Sequence, residues 1–241
     1  YFRRLLGNPT TIALTATATD RVRRDIVEHL ALENPRTFIT GFARPNLFYE
    51  VQCPKSERQK GGLLVDFLRR TPGSGIIYTS TRKRTDEVAE LVAEQTDRRA
   101  TVYHAGMLPE DRRAAQEAFM SGRFEIVVAT NAFGMGIDKA DVRFVVHYNL
   151  PGSLEAYYQE AGRAGRDGLP SRCMMFYHAA DRYTQEYFVE NAYPGREYVE
   201  QVYNFLCALD DDPIELTQKE VKEACGLSIS GEGVGNCEQI L

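Results

Sequence analysis

The chain has 241 residues, 43% hydrophobic and 26% charged, with a formal net charge of −5. That length suits one large domain or about two small ones. The acidic balance excludes a generally basic nucleic-acid coat but leaves room for a local basic groove. No apolar run approaches the ~20 residues of a membrane helix, and the opening YFRRLLGNPTT lacks the apolar core of a secretion signal, so no membrane partner is expected.

In chain order, Thr11–Ala16 is β-branched and apolar and reads as a buried strand running into Thr15–Thr19. Asp20 is expected to cap a helix with Val22, Ile26, Val27 and Leu30 on one face. Pro35 closes that helix, and Thr37–Thr40 reads as another strand. Gly41–Asn46, GFARPN, is a turn-rich connector in which Pro45 forces an extended residue before it; a domain boundary is expected here.

From Leu47 short strands and amphipathic helices alternate. Strands are expected at Leu47–Val51, Gly75–Thr79, Thr101–Tyr103, Glu125–Ala129, Arg143–His147 and Cys173–Tyr177. Between them lie helices at Lys60–Arg70, after Ser80-Thr81-Arg82-Lys83, and from Pro109, which fits a first turn. Val88, Leu91 and Val92, and then Ala114, Ala115, Ala118 and Phe119, are expected to face inward. Ser153 is a plausible N-cap for a helix that runs toward Gln159, Arg163 and Arg166 and frays at Gly162, Gly165 and Gly168. This alternation implies βαβ units, hence a parallel α/β sheet with helices on both faces. Open sheets of this kind place their sites at the carboxyl ends of the strands.

After Ala179 the pattern is helical. Asp181–Asn191 carries Tyr183, Tyr187 and Phe188, expected to pack on the preceding sheet domain rather than to stack on bases. Val199, Val202, Tyr203, Leu206 and Leu209 mark an amphipathic helix, and 210–213 end it. A helix starting at Gln218 turns Val221 and Ala224 inward, and a glycine turn at Gly231–Gly235 precedes a third helix. Three short helices in this order suggest a helix-turn-helix or winged-helix module. The five cysteines, Cys53, Cys173, Cys207, Cys225 and Cys237, include no C-x₂₋₄-C pair. No metal site, and in particular no zinc, is expected. All five are expected to be reduced thiols that pack as small apolar residues.

The densest stretch runs from Val128 to Gly168. It joins a Gly134-Met135-Gly136 turn ending on Asp138 to two arginines three residues apart among glycines. Planar, permanently charged guanidiniums suit phosphate oxygens. The wording FGMGIDKADVRFVVHYNLP and YYQEAGRAGRDG resembles motifs V and VI of superfamily 2 helicases, the RecQ family of ATP-dependent DNA helicases in particular. TATAT at 15–19 is similar to motif III and IIYTSTRK at 76–83 to motif IV.

The resemblance implies a RecA-like lobe. Residues 1–40 would end a first lobe, 41–190 would form the second, and 191–241 would begin a truncated winged-helix-like domain. It implies part of an ATP-dependent 3′-to-5′ DNA helicase that unwinds duplex DNA in recombination and repair. Arg166 would be the arginine finger, with Arg163 beside it and Gln159 in the same network. Asp138 would accept from ribose hydroxyls, with Gly136 and Gly162 also on the nucleotide side. Thr79, Ser80, Arg82, His104, Thr130 and Asn131 would meet the nucleic acid. The expected partners are single-stranded and forked duplex DNA and the first RecA-like lobe. The expected place is the cytoplasm, on the nucleoid, or the nucleus in a eukaryote. ATP and Mg²⁺ are the implied cofactors, yet the sequence holds neither G-x-x-x-x-G-K-[ST] nor D-E-x-[DH]. This polypeptide by itself is therefore expected to be inactive as an ATPase. Two alternatives stay open: a catalytically inert nucleic-acid-binding scaffold lobe, or the second lobe of an RNA helicase.

Overall fold

The computed structural model describes residues 2–15, 17–39, 41, 43–134, 136–209 and 215–240. Its centre is one sheet of six strands: β1 (Leu47–Gln52), β2 (Ser74–Tyr78), β3 (Ala100–Tyr103), β4 (Ile126–Ala129), β5 (Val142–His147) and β6 (Ser171–Phe176). Every pairing is parallel, in the order β1-β6-β5-β2-β4-β3. Consecutive residues of a strand point to opposite faces, so Ile76 and Ile77 feed two separate cores. One core packs Leu64, Phe67 and Leu68 of a helix at Glu57–Arg70 and Val88 and Val92 of a helix at Arg82–Gln95 against the sheet. The other packs Phe119 from the helix Pro109–Met120, Ala161 from the helix Leu154–Ala161, and Phe133 and Ile137 from a loop.

In chain order the helices are α1 (Phe2–Leu5), α2 (Asp20–His29), α3 (Glu57–Arg70), α4 (Arg82–Gln95), α5 (Pro109–Met120), α6 (Leu154–Ala161), α7 (Asp181–Ala192), α8 (Arg196–Cys207), α9 (Gln218–Cys225) and α10 (Gly231–Ile240). Their starts follow from local chemistry. Ser56, Thr81 and Ser153 each accept a backbone N–H two or three residues into the helix they cap, and Pro109 occupies the first turn of α5. Helices α8 to α10 enclose a small core of their own around Val202, Val221, Leu227, Ile229, Val234 and Cys237. Among the described residues no helix is long and apolar enough to cross a membrane.

Several expectations are corrected. Residues 11–15 and 37–39 form no strand, and Ile12, Leu14 and Phe38 are exposed; Ala16 and Thr40 lie outside the described residues. A strand needs a neighbour for its backbone groups, and no described strand pairs with either segment. The cap of α2 is Thr19, with Asp20 as first-turn acid. Ala114 and Ala224 face solvent. Tyr183 is 73% exposed and Tyr187 and Phe188 are exposed too, so α7 does not bury these rings against the sheet domain. Only Cys173 and Cys237 are buried; Cys53 and Cys207 are exposed.

The expected glycine turn at 231–235 is helical, since α10 begins at Gly231. Its glycines permit close packing: a Cβ on Gly233 would lie 2.8 Å from Asn191 Oδ1, and one on Gly235 2.3 Å from Gln218 Nε2. A glycine inside a helix costs about 1 kcal/mol against alanine, which the approach of α10 to α7 and α9 offsets.

Candidate functional site

Because all six strands run the same way, their carboxyl ends share one edge of the sheet. Thr79 and Ser80 follow β2, His104 follows β3, and Thr130 and Asn131 follow β4. Arg82 opens α4 beside them and lies over Gly106, where an added Cβ would come within 2.9 Å of Arg82 Cδ. These residues differ in what they offer. Ser80 is half-buried, and Arg82 and Asn131 are exposed. Thr79 is buried, its hydroxyl 2.7 Å from that of Thr85. Thr130 is also buried. His104 Nε2 stands 3.5 Å from Asp86 Oδ1. Ser80, Arg82 and Asn131 are therefore open at the rim of the edge, and the Thr79 side chain is not.

The second half of the site is a pair of loops held together by arginines. α6 ends at Ala161 with Gly162 as its C-cap, so Arg163 and Arg166 lie in the turns beyond the helix. Arg163 Nη1 donates to the carbonyl of Gly134. Arg166 Nη1 donates to the Ile137 carbonyl at 2.7 Å and to Asp138 Oδ1 at 2.7 Å. Gly134, Ile137 and Asp138 are thereby pinned to the loop 162–168. A Cβ on Gly134 would sit 2.3 Å from Arg163 Nη2 and push the guanidinium from this place. Gly136, at φ +77°, supplies the left-handed turn. Gln159 Nε2 donates to Thr17 Oγ1 at 3.0 Å, tying α6 to the 15–19 run.

Four groups escaped sequence reading. Arg44 and Asn46, in the connector, donate to carbonyls of the 162–169 loop. His147 is fully buried, its Nε2 2.9 Å from Glu160 Oε2, stacked on Tyr78 at 5.5 Å between ring centroids. Tyr78 donates to the Phe133 carbonyl at 3.0 Å, and burial pushes its phenol above the usual tyrosine value. The last is an ion pair under the edge: Lys60 Nζ lies 2.9 Å from Asp181 Oδ2, and Asn149 Nδ2 donates to Asp181 Oδ1 at 2.8 Å. No short-range pattern marks any of these, because each contact spans a long stretch of chain; the buried polar identity of His147 inside an apolar strand was the one available hint.

His178 is joined by Glu57 and by Asp181, three residues further on, with ligand atoms within 4.8 Å of one another. Lys60 Nζ also lies 3.7 Å from Glu57 Oε1. An ammonium therefore already supplies the positive charge in that cluster, and we read it as structural.

Residues 59–168 match the helicase conserved C-terminal domain. The fold is that of a RecA-like helicase C-terminal lobe. The chain is 45% identical over 178 residues to the RecQ-like DNA helicase blm-1 of Caenorhabditis elegans, covering 73% of this chain and 18% of that protein. It is 41% identical over 192 residues to the ATP-dependent DNA helicase RecQ of Bacillus subtilis, covering 79% and 32%. Among solved structures it resembles S. cerevisiae Dbp5 bound to RNA and ADP BeF3, with a TM-score of 0.59 and 24% identity over 73% of this chain and 47% of that one. It also resembles a DEAD box protein from Methanococcus jannaschii, with a TM-score of 0.54 and 21% identity over the same shares. These two show the fold alone. The chain belongs to the RecQ-like helicases, and it spans 18% and 32% of the two curated relatives above.

Proposed function

We propose that this chain is the second motor lobe of an ATP-dependent DNA helicase. In it Arg166 and Arg163 face the terminal phosphate of ATP, while Ser80, Arg82 and Asn131 hold the backbone of single-stranded DNA. The observation that carries this is the pinning of Gly134, Ile137 and Asp138 to the loop 162–168 by the two guanidiniums. One side of that contact leads to β4 and the DNA rim, the other to the arginines. A displacement of either side is therefore felt by both.

Arg166 is held by Asp138, whose side chain is 88% exposed. An ion pair so open to water is worth about 0–1 kcal/mol, so exchanging the carboxylate for a phosphate oxygen costs little. Asp138, freed, can accept from a ribose hydroxyl. ATP supplies the phosphoryl group, and Arg166 stabilises the charge that develops on it. Magnesium ligands and the phosphate-cradling loop are assigned to the first lobe. Contacts to phosphates carry little sequence information, as a motor on arbitrary DNA requires. The 3′-to-5′ direction rests on the family likeness alone.

The test is Arg166→Ala in the full-length helicase. We expect DNA-stimulated kcat to fall by about 10³-fold or more, with ATP affinity within a few-fold. A variant that keeps its kcat within a few-fold of wild type refutes the assignment.

A further inference from the structure

We propose that Arg44, in the connector before β1, is the positioning residue of the two arginines, and that Asn46 assists it. The inference rests on the reading of Arg163 and Arg166 given above.

The Arg44 guanidinium donates to three consecutive-turn carbonyls: Nη1 to Gly162 at 3.2 Å, Nη2 to Ala164 at 3.0 Å and to Gly165 at 3.0 Å. These carbonyls follow the last turn of α6, where backbone C=O groups lack helical partners and carry the negative end of the helix dipole. A fixed cation with a planar fork is the group suited to gather several of them. Asn46 Nδ2 adds bonds to Gly165 O at 2.8 Å and Leu169 O at 3.0 Å. Gly165 is in the left-handed region at φ +56°, and a Cβ there would lie 2.5 Å from Asn46 Nδ2. The loop is thus shaped to admit the Asn46 side chain.

The consequence is geometric. Arg163 and Arg166 bracket Ala164 and Gly165, which carry two of the three carbonyls Arg44 holds. Their outward reach to Gly134, Ile137 and Asp138 is set from one side, and the backbone between them is set from the other by Arg44. The connector is therefore mechanically joined to the arginine loop, and a shift of residues 44–46 displaces both guanidiniums together.

The test uses the full-length helicase, with ssDNA-stimulated ATP hydrolysis, thermal melting and active-site titration. Arg44→Ala is expected to lower kcat per folded active site by about 10- to 100-fold, as misplacement of catalytic groups by about 1 Å does. The KM for ATP should stay within about three-fold. Arg44→Lys should recover part of the loss, since an ammonium cannot bond all three carbonyls in the same plane. A merely structural residue would reduce the folded fraction and leave kcat per folded site unchanged, and that result overturns the proposal. Should Arg44→Ala fail to fold, Asn46→Ala decides, with a kcat loss supporting and an unchanged kcat overturning. Arg166→Ala serves as control. If it stays active, the reading of the arginines fails and this inference with it; if it is inactive while Arg44→Ala is normal, this inference alone fails.

Discussion

Replacing Asp181 with alanine should be among the most destabilising single changes in the sheet domain. Lys60 is 0% exposed, and its ammonium has Asp181 at 2.9 Å and Glu57 at 3.7 Å as ion partners. Removing Asp181 leaves a buried charge with the more distant, partly exposed carboxylate and the face of the Tyr148 ring, 4.9 Å from its centroid. Breaking a buried pair in this way costs about 3–5 kcal/mol. Asn149 Nδ2 also loses its acceptor, for about 1–3 kcal/mol more when the donor stays dry. The two terms share one carboxylate and do not add fully, so we expect about 4 kcal/mol, a large fraction of the ~5–15 kcal/mol that stabilises a typical domain.

Urea unfolding of the purified chain, followed by circular dichroism, reads this as a fall in midpoint. With a slope of about 2–3 kcal/mol per molar the midpoint should drop by about 1.3–2 M. Replacing both partners by apolar residues, Lys60→Met with Asp181→Leu, should cost clearly less than Asp181→Ala, because neither charge is left alone. An Asp181→Ala variant within about 1 kcal/mol of wild type, or a double replacement worse than the single, refutes the reasoning.

Two further outcomes are expected. Burial pushes Cys173 up to about 12, and Tyr148 and Tyr157 likewise to about 12. The folded state keeps these protons while the unfolded chain loses them, so stability is complete below about pH 8.5, the pKa of an unburied thiol. It declines as pH rises toward 12; urea midpoints at pH 7.5, 9 and 10.5 that fail to fall in that order contradict this. Gly75→Ala places a Cβ 2.0 Å from the Phe144 ring inside a packed core and should cost about 1–3 kcal/mol, whereas Gly62→Ala, with nothing within 4 Å, should be neutral or stabilising in the same unfolding assay.

The sheet is legible in the sequence because strand and helix repeat at different periods from Leu47 to Phe176, and burial on both faces makes β2, β4 and β5 short apolar runs. Parallel pairing then carries Ser80, Arg82, His104 and Asn131 to one edge without further information. What the sequence does not reveal is what lies across long loops. Arg44 sits beside Pro45 and reads as a turn residue, yet its partners are 118 to 121 positions away. Lys60 reads as a solvated helix residue until Asp181 is folded onto it. Thr11–Ala16 has the composition of a strand, but composition supplies no neighbour. The glycines of α10 read as breakers, since sequence does not show that Asn191 and Gln218 need their space.

The position of β1 in the sheet has a consequence for the making of the protein. Among the described residues its only sheet partner is β6, with Leu47 beside Ser171. On a ribosome adding about 5–20 residues per second, β1 is therefore finished on the order of ten seconds before its neighbour exists. Meanwhile β2, β3 and β4 can already associate. During that interval Tyr49 and Val51, which stay partly open to water even in the finished fold, have no backbone beside them. The interval is when the nascent chain most needs a chaperone, and a circular permutant that begins at β2 and delivers β1 after β6 should shorten it.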